Sequence, residues 1–272
     1  MSSTTTAMTT ATATATATAT RPAYLVFSDV DETLIDCKSM FDFLHFALVH
    51  LHGAEGEALY RATRTRLDAM SASGAARADV NRAYYKSAWA GHDAQQLTDL
   101  GRAWYGRRTS QPGFFIEETL HALRRHQRQG ADVILVSGSF SPCLTPIAEA
   151  VDAARVLSTE PVVHQGVLTG DVGRPMIGEG KRAAVLRVLA EHPHLSPRSC
   201  YAYGDHVSDA PMMDCVGNPR AVGNDPRLRA YLAERTQAST RDPAHEGAAL
   251  ACWSMGCAGH EATDPRLCAQ AC

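Results

Sequence analysis

Tyr24-Leu25-Val26-Phe27-Ser28-Asp29-Val30-Asp31-Glu32-Thr33-Leu34 opens as an apolar run of β-formers and then breaks into two carboxylates spaced two apart. The run is too short for a helix and reads as a strand buried on both faces of a parallel sheet. In an extended chain residues i and i+2 point to the same side. Asp29 and Asp31 therefore leave together at the carboxyl end of the strand, where open α/β sheets hold ligands. Two acids aimed at one point repel, and a structural site rarely keeps them without a cation or a reaction. An aspartate can attack phosphorus and form an aspartyl-phosphate, and a second carboxyl beside it can protonate the leaving group and activate water. An Asp-rich turn explains the same residues if nothing downstream completes a site.

Working outward, residues 1–21 are almost entirely Thr and Ala, without a basic start, a Leu-rich centre or a hydrophobic period. They read as a disordered tail rather than a signal peptide. The 272-residue chain is 45% hydrophobic and 20% charged, ordinary values for a globular protein. A net charge of −3 gives no electrostatic case for nucleic acid or an anionic membrane, and no apolar run reaches the ~20 residues of a bilayer span. A cytoplasmic protein is expected. Cys37, Cys143, Cys200 and Cys215 read as free thiols, whereas Cys252, Cys257, Cys268 and Cys272 crowd the end of the chain without paired C-x-x-C spacing.

Downstream of the first strand, Ser39 precedes a helical spacing of apolar residues ending at Gly53, and Ser39 with Asp42 resembles a capping pair. Further helices are expected near 55–71, 78–89 and 94–105, with no strand between 38 and 111. Pro112-Gly113 resets the chain into a helix over 114–128. Strands follow at 132–136, 155–158, 200–203 and 221–222, with a hairpin turning near Gln165-Gly166, helices from Ser141-Pro142 and near 181–191, and a last helix from Asp225-Pro226 to Ala233. Strands alternating with helices predict an α/β fold with a doubly wound parallel sheet. The expected division is a core of residues 22–37 and 112–235, a helical insert of 38–111 and a Cys-containing tail of 236–272.

The expected strand ends deliver polar groups to one edge of this sheet: Asp29, Asp31 and Thr33 from the first, Ser137 and Gly138 from the second, Asp205 and then Asp209 from a later one. Lys181 opens the helix after the hairpin. For phosphoryl transfer the set is chemically sufficient. Asp29 and Asp205 can hold Mg²⁺ with the Asp31 carbonyl as a further oxygen ligand. Ser137 and nearby backbone N–H groups can bind phosphate, and Lys181 adds positive charge. A kinase-type phosphate loop is excluded, because Gly178-Glu179-Gly180-Lys181 lacks its spacing and hydroxyl residue.

With DVDET (29–33), LVSGS (135–139), GEGK (178–181) and YGDHVSD (203–209) in this order, the chain resembles the haloacid dehalogenase-like hydrolase superfamily over residues 24–235. Within it, GEGK and AYGDHVSDAPMM resemble the phosphoserine-phosphatase-like group, subfamily IB. The resemblance implies a Rossmann-like core, a C1 helical cap after the first strand, and Mg²⁺-dependent hydrolysis of a small phosphorylated metabolite. It implies Asp29 as nucleophile, Asp31 as general acid/base, Ser137 and Lys181 on phosphate, and Asp205 on Mg²⁺ supported by Asp209. Asp31 argues for a phosphatase over a dehalogenase, since carbon–halogen-cleaving relatives lack that acid. Phosphotransfer to an acceptor alcohol, or phosphate binding without turnover, are the alternatives.

The chain departs from the family at three positions. Glu32 replaces a common Gly or Ser and reads as a loop side chain turned to solvent. His206 replaces a common Ser and reads as loop filler. Lys38 stands nine residues after Asp29, where true phosphoserine phosphatases carry a Glu that recognises the substrate amine. A cation there disfavours phosphoserine and, if it faces the pocket, suits a carboxylate or carbonyl near the phosphate. The family's carboxylate-binding cap Arg has Arg77, Arg82 and Lys86 as candidates. Abundant aromatics between residues 41 and 105 are expected chiefly to pack the insert, with one or two free to line an apolar pocket. A phosphorylated butenolide or furan precursor would fit, as would a sugar, polyol or amino alcohol phosphate.

Overall fold

Leu25–Ser28 forms strand β1, and all four residues are buried. A computed structural model describes residues 21–241; the Thr/Ala-rich start and the four late cysteines lie outside the described residues. β1 is followed by four helices, α1 (Ser39–His52), α2 (Ala54–Ala72), α3 (Arg77–Ala88) and α4 (Ala94–Thr109). The chain then runs α5 (Glu117–Arg128), β2 (Asp132–Ser137), α6 (Ser141–Ala150) and β3 (Arg155–Ser158). A two-stranded antiparallel hairpin, β4 (Pro161–His164) and β5 (Val167–Val172), precedes α7 (Glu179–Glu191) and β6 (Tyr201–Gly204). α8 (Ala210–Met213), β7 (Asn218–Ala221) and α9 (Pro226–Arg241) complete it.

Five strands pair in parallel in the order β3-β2-β1-β6-β7. Alternation along β1 divides the core into two layers. Val26, with Val133 and Leu135 of β2, packs against Leu123 of α5 and Leu144 and Ile147 of α6. Leu25 and Phe27 pack with Ile134 and Val136 against Val185 and Val188 of α7, Met212 and Met213 of α8, and Leu228 of α9. Helices thus cover both faces, the doubly wound arrangement expected of near-continuous apolar strands. No helix among the described residues is long and apolar enough to cross a membrane.

The four-helix insert shares the first of these layers. Phe43 stacks on Trp89 at 5.4 Å between ring centroids, and Phe140, beyond β2, approaches both Tyr85 (5.3 Å) and Trp89 (5.9 Å). The aromatics therefore weld the insert to the sheet layer as well as to itself. α4 lies so close to α6 that a Cβ on Gly101 would stand 2.0 Å from the Pro142 carbonyl oxygen. Gly101→Ala should therefore destabilise the protein by about 1–3 kcal/mol, the usual cost of overpacking, read as a lower urea midpoint at unchanged slope. The hairpin grips the insert through the main chain: Gly91 N donates to Leu168 O (2.8 Å), Leu168 N to His92 O (2.9 Å) and Ala94 N to Gly166 O (2.8 Å).

Several local expectations are corrected. Ser39 does not cap α1; Lys38 precedes the helix without a side-chain cap bond. Buried Ser39 instead donates to Ser139 Oγ (2.9 Å), while Asp42 accepts from Trp104 Nε1 (2.6 Å). α5 starts at Glu117, because Ile35 bridges Phe115 and Ile116 N donates to Leu34 O, which holds residues 114–116 extended. The last strand lies at Asn218–Ala221 and contains Pro219, tolerated at a sheet edge where the missing N–H faces no partner. α9 continues to Arg241, anchored by Arg235 donating to the Met213 and Val216 carbonyls (2.9 and 2.6 Å).

Candidate active site

Because β1 sits between β2 and β6, their parallel carboxyl ends open at the same edge. There a cavity of about 130 Å³ is lined by Asp29, Asp31, Ser137, Gly138, Lys181, Asp205 and Asp209. Asp29 directly follows β1 and its N–H donates to Tyr203 O (2.9 Å), which ties it to β6. The turn after it closes through Leu34 N and Ile35 N donating to Val30 O, and this returns Asp31 to the cavity. Gly204 is needed for Asp209, since a Cβ there would lie 2.7 Å from the Asp209 Cβ and Oδ2.

Lys181 is buried and donates to Asp29 Oδ1 and Asp209 Oδ1, each at 2.7 Å. Burial alone would lower its pKa, but Asp209 and Asp29 outweigh that and hold it protonated, above its ordinary value. Burial pushes Asp29 well up, Lys181 opposes the rise, and Asp209 and Asp31 add to it. Burial likewise raises Asp31 to about 6, with Ser39 and the Lys181 charge pulling the other way. Asp205 is raised by burial and by Asp209, against a hydrogen bond from Thr33. Lys181 thus pairs directly with only two of these four carboxyl groups, Asp29 and Asp209, while Asp29, Asp205 and Asp209 crowd one another.

That imbalance calls for a further cation, and the donors fit a small hard one. One oxygen from each of Asp29, Asp205 and Asp209 lies within 4.8 Å of the others, and carboxylate oxygen is the donor Mg²⁺ takes. The Asp31 side chain stands outside this trio; its Oδ1 is buried without a hydrogen-bond partner. Thr33 does not line the cavity. Its hydroxyl donates to Asp205 Oδ1 (3.2 Å) and orients that acid. Ser137 lines the cavity and accepts from Ser139 N (3.1 Å).

Glu32 and Lys38, read separately from sequence, form a pair at the mouth, 3.0 Å apart and each about half exposed. Glu32 is thus not simply turned to solvent: it lines the cavity and adopts φ 58°, a left-handed conformation that glycine adopts more readily. Releasing Lys38 by Glu32→Gln should lower KM for an anionic substrate by about two- to fivefold, the range of an exposed pair, measured at constant ionic strength. His206 also lines the cavity and accepts from Arg77 Nη1 (2.9 Å to Nδ1) and Ser208 N (3.0 Å). Of the three candidate cap cations only Arg77 lines the cavity; Arg82 pairs with Asp79 (2.9 Å).

Sequence reading missed Asn81, which is buried and lines the cavity. Its Nδ2 donates to Gly138 O (3.0 Å) and its Oδ1 accepts from Thr159 Oγ1 (3.5 Å). Tyr85 also donates to Gly138 O (3.2 Å). A polar residue inside an amphipathic helix is the only signal that could have marked Asn81.

The haloacid dehalogenase-like hydrolase pattern matches residues 26–214. The chain belongs to this family. A Mycobacterium tuberculosis member named a probable phosphatase is 32% identical over 152 residues, which is 51% of this chain and 52% of that protein. The chain spans about half the length of the curated relatives it matches. Among solved structures, a Bordetella pertussis Tohama I protein described as of unknown function aligns at 24% identity and TM-score 0.69, over 79% of this chain and 97% of that one. A structure described as a phospho-aspartyl intermediate analogue of phosphoserine phosphatase aligns at 17% identity and TM-score 0.56, over 77% and 91%. At such identities the likeness carries the haloacid dehalogenase-like fold alone.

Proposed function

We propose that the chain is a Mg²⁺-dependent phosphatase that hydrolyses a small-molecule phosphomonoester through phosphate carried on Asp29, with residues 38–111 acting as its cap. The observation that carries this reading is Lys181 Nζ at 2.7 Å from both Asp29 and Asp209, in the cavity that also collects Asp31, Ser137 and Asp205. Asp29, Asp205 and Asp209, with the Asp31 carbonyl, would hold Mg²⁺, which when bound offsets the repulsion between an anionic nucleophile and an anionic phosphate. Asp29 attacks phosphorus while Asp31, whose carboxyl pKa burial raises to about 6, gives its proton to the departing alkoxide. Asp31 then takes a proton from the water that releases phosphate from Asp29. Lys181 and Ser137 receive the phosphate oxygens.

Lys38 bears on the substrate. Lys38 itself gives no partner to an amine and holds Glu32, the carboxylate at the mouth, in a 3.0 Å pair, so phosphoserine is a poor candidate and little net charge is left there. Purified protein should release phosphate from p-nitrophenyl phosphate with Mg²⁺, lose that activity in EDTA and regain it when Mg²⁺ is restored. Turnover that persists in EDTA would overturn the metal-dependent reading.

A further inference from the structure

The active-site cavity opens on its insert side into a larger chamber of about 360 Å³, against about 130 Å³ for the first. Lys38, Met40, Phe41, Arg77, Asn81 and Ile177 line both, so the two form one cleft. The outer chamber lies between α1, α2 and α3. Leu67, Val80 and Tyr84 continue its apolar wall from Phe41, and Leu67 and Tyr84 are almost wholly buried. Of its three cations, two pair with carboxylates and the third, Arg77, donates to His206. Arg64 lies 3.9 Å over the Phe41 ring and donates to Asp68 (3.1 Å), while Lys38 pairs with Glu32.

We infer that this chamber receives the leaving group, and that the substrate is the phosphomonoester of an alcohol with a flat or branched apolar body of about bicyclic size. The inference rests on the phosphatase reading. Small-molecule pockets run to about 300–1,000 Å³, mostly apolar with few polar groups. The inner chamber falls below that range and suits the phosphate and the atoms next to it. A three-carbon ester would leave the outer chamber to water, whereas an apolar body reaching the partly exposed Phe41 and Val80 displaces that water. Binding energy gained there, away from the reacting bond, raises kcat/KM.

The test compares 2-naphthylmethyl phosphate with ethyl phosphate, both esters of alkyl alcohols, so that size rather than leaving-group basicity is read. Wild-type protein should favour the naphthylmethyl ester at least tenfold in kcat/KM. Val80→Trp on α3 and Ser71→Trp on α2 each put a large ring on a residue that lines the chamber, and each should cut that ratio at least tenfold. Ser71 is exposed, so its variant keeps the test open if Val80→Trp misfolds by circular dichroism. No preference in wild type, or a preference that survives both substitutions, overturns the inference. Calorimetric binding of 2-naphthylmethylphosphonate separates the two readings. If wild type releases phosphate from neither ester nor from p-nitrophenyl phosphate, the phosphatase reading fails. Phosphonate binding that weakens at least tenfold in Ser71→Trp then still supports the chamber, and no binding overturns it.

Discussion

Asp29→Asn is expected to lower kcat by about 10⁴–10⁶-fold, the loss that follows removal of a covalent nucleophile whose partners are left in place. The amide keeps an oxygen that can accept from Lys181 Nζ, now 2.7 Å from Asp29 Oδ1, so the site keeps its shape and loses only the oxygen proposed to attack phosphorus. Replacing a buried carboxylate that faces Asp209 and Asp31 by a neutral group also removes repulsion, so the variant should unfold at or above the wild-type temperature in the absence of metal. Steady-state turnover, thermal unfolding and acid-quench trapping of labelled phosphate separate these effects. Label should stay on wild-type protein and not on the variant. An Asp29→Asn protein within tenfold of wild-type kcat would end the assignment of Asp29.

Lys181→Met should do the opposite to stability. It leaves Asp29 and Asp209 buried with no cation between them, and removing one partner of a buried ion pair costs about 3–5 kcal/mol. Activity should fall too, by about 10²–10³-fold in kcat, the loss when one charge-stabilising donor is removed. The stability deficit should depend on pH. Burial raises the folded-state pKa of Asp29, and without Lys181 nothing opposes that rise. A carboxyl whose folded pKa lies above its unfolded value binds its proton more tightly when folded, so stability is lost as pH rises through the folded pKa. The gap to wild type should therefore narrow as pH falls from 8 toward the ordinary carboxylate range. Adding Asp29→Asn to Lys181→Met should restore about 0.5–3 kcal/mol, the range of coupling between touching residues. Urea unfolding of the four proteins without metal measures it, and strict additivity would show that Lys181 is not needed to balance the two acids.

Much of this site was legible because its chemistry is carried by short segments at strand ends. A buried apolar run followed by charge places Asp29, Ser137 and Asp205 on one sheet edge once parallel pairing is granted, and β1 between β2 and β6 brings those ends together. What escaped depends on how the insert meets the sheet. The Glu32–Lys38 pair joins residues six apart across a left-handed turn, and periodicity says nothing about such a turn. Asn81 reaches Gly138 from another part of the chain, a contact fixed by helix packing. Thr33 and Ser39 both carry hydroxyls with several local options, and packing decided that one orients Asp205 and the other meets Ser139. Pro219 hid β7 because its penalty vanishes only at an edge.

The main-chain bonds between residues 91–94 and the hairpin at 166–168 have a mechanical consequence. In chain order the hairpin belongs between β3 and α7, yet it is fastened to the insert as a third strand would be. Any swing of the insert away from the sheet must take the hairpin with it. Its hinge is then the two links that join the insert to β1 and α5 plus the two that join the hairpin to β3 and α7. Such a hinge resists twisting and favours a single plane of opening. The last of those links runs straight into the helix that bears Lys181, so any displacement of the hairpin would be felt first at the turn that carries the ammonium between Asp29 and Asp209.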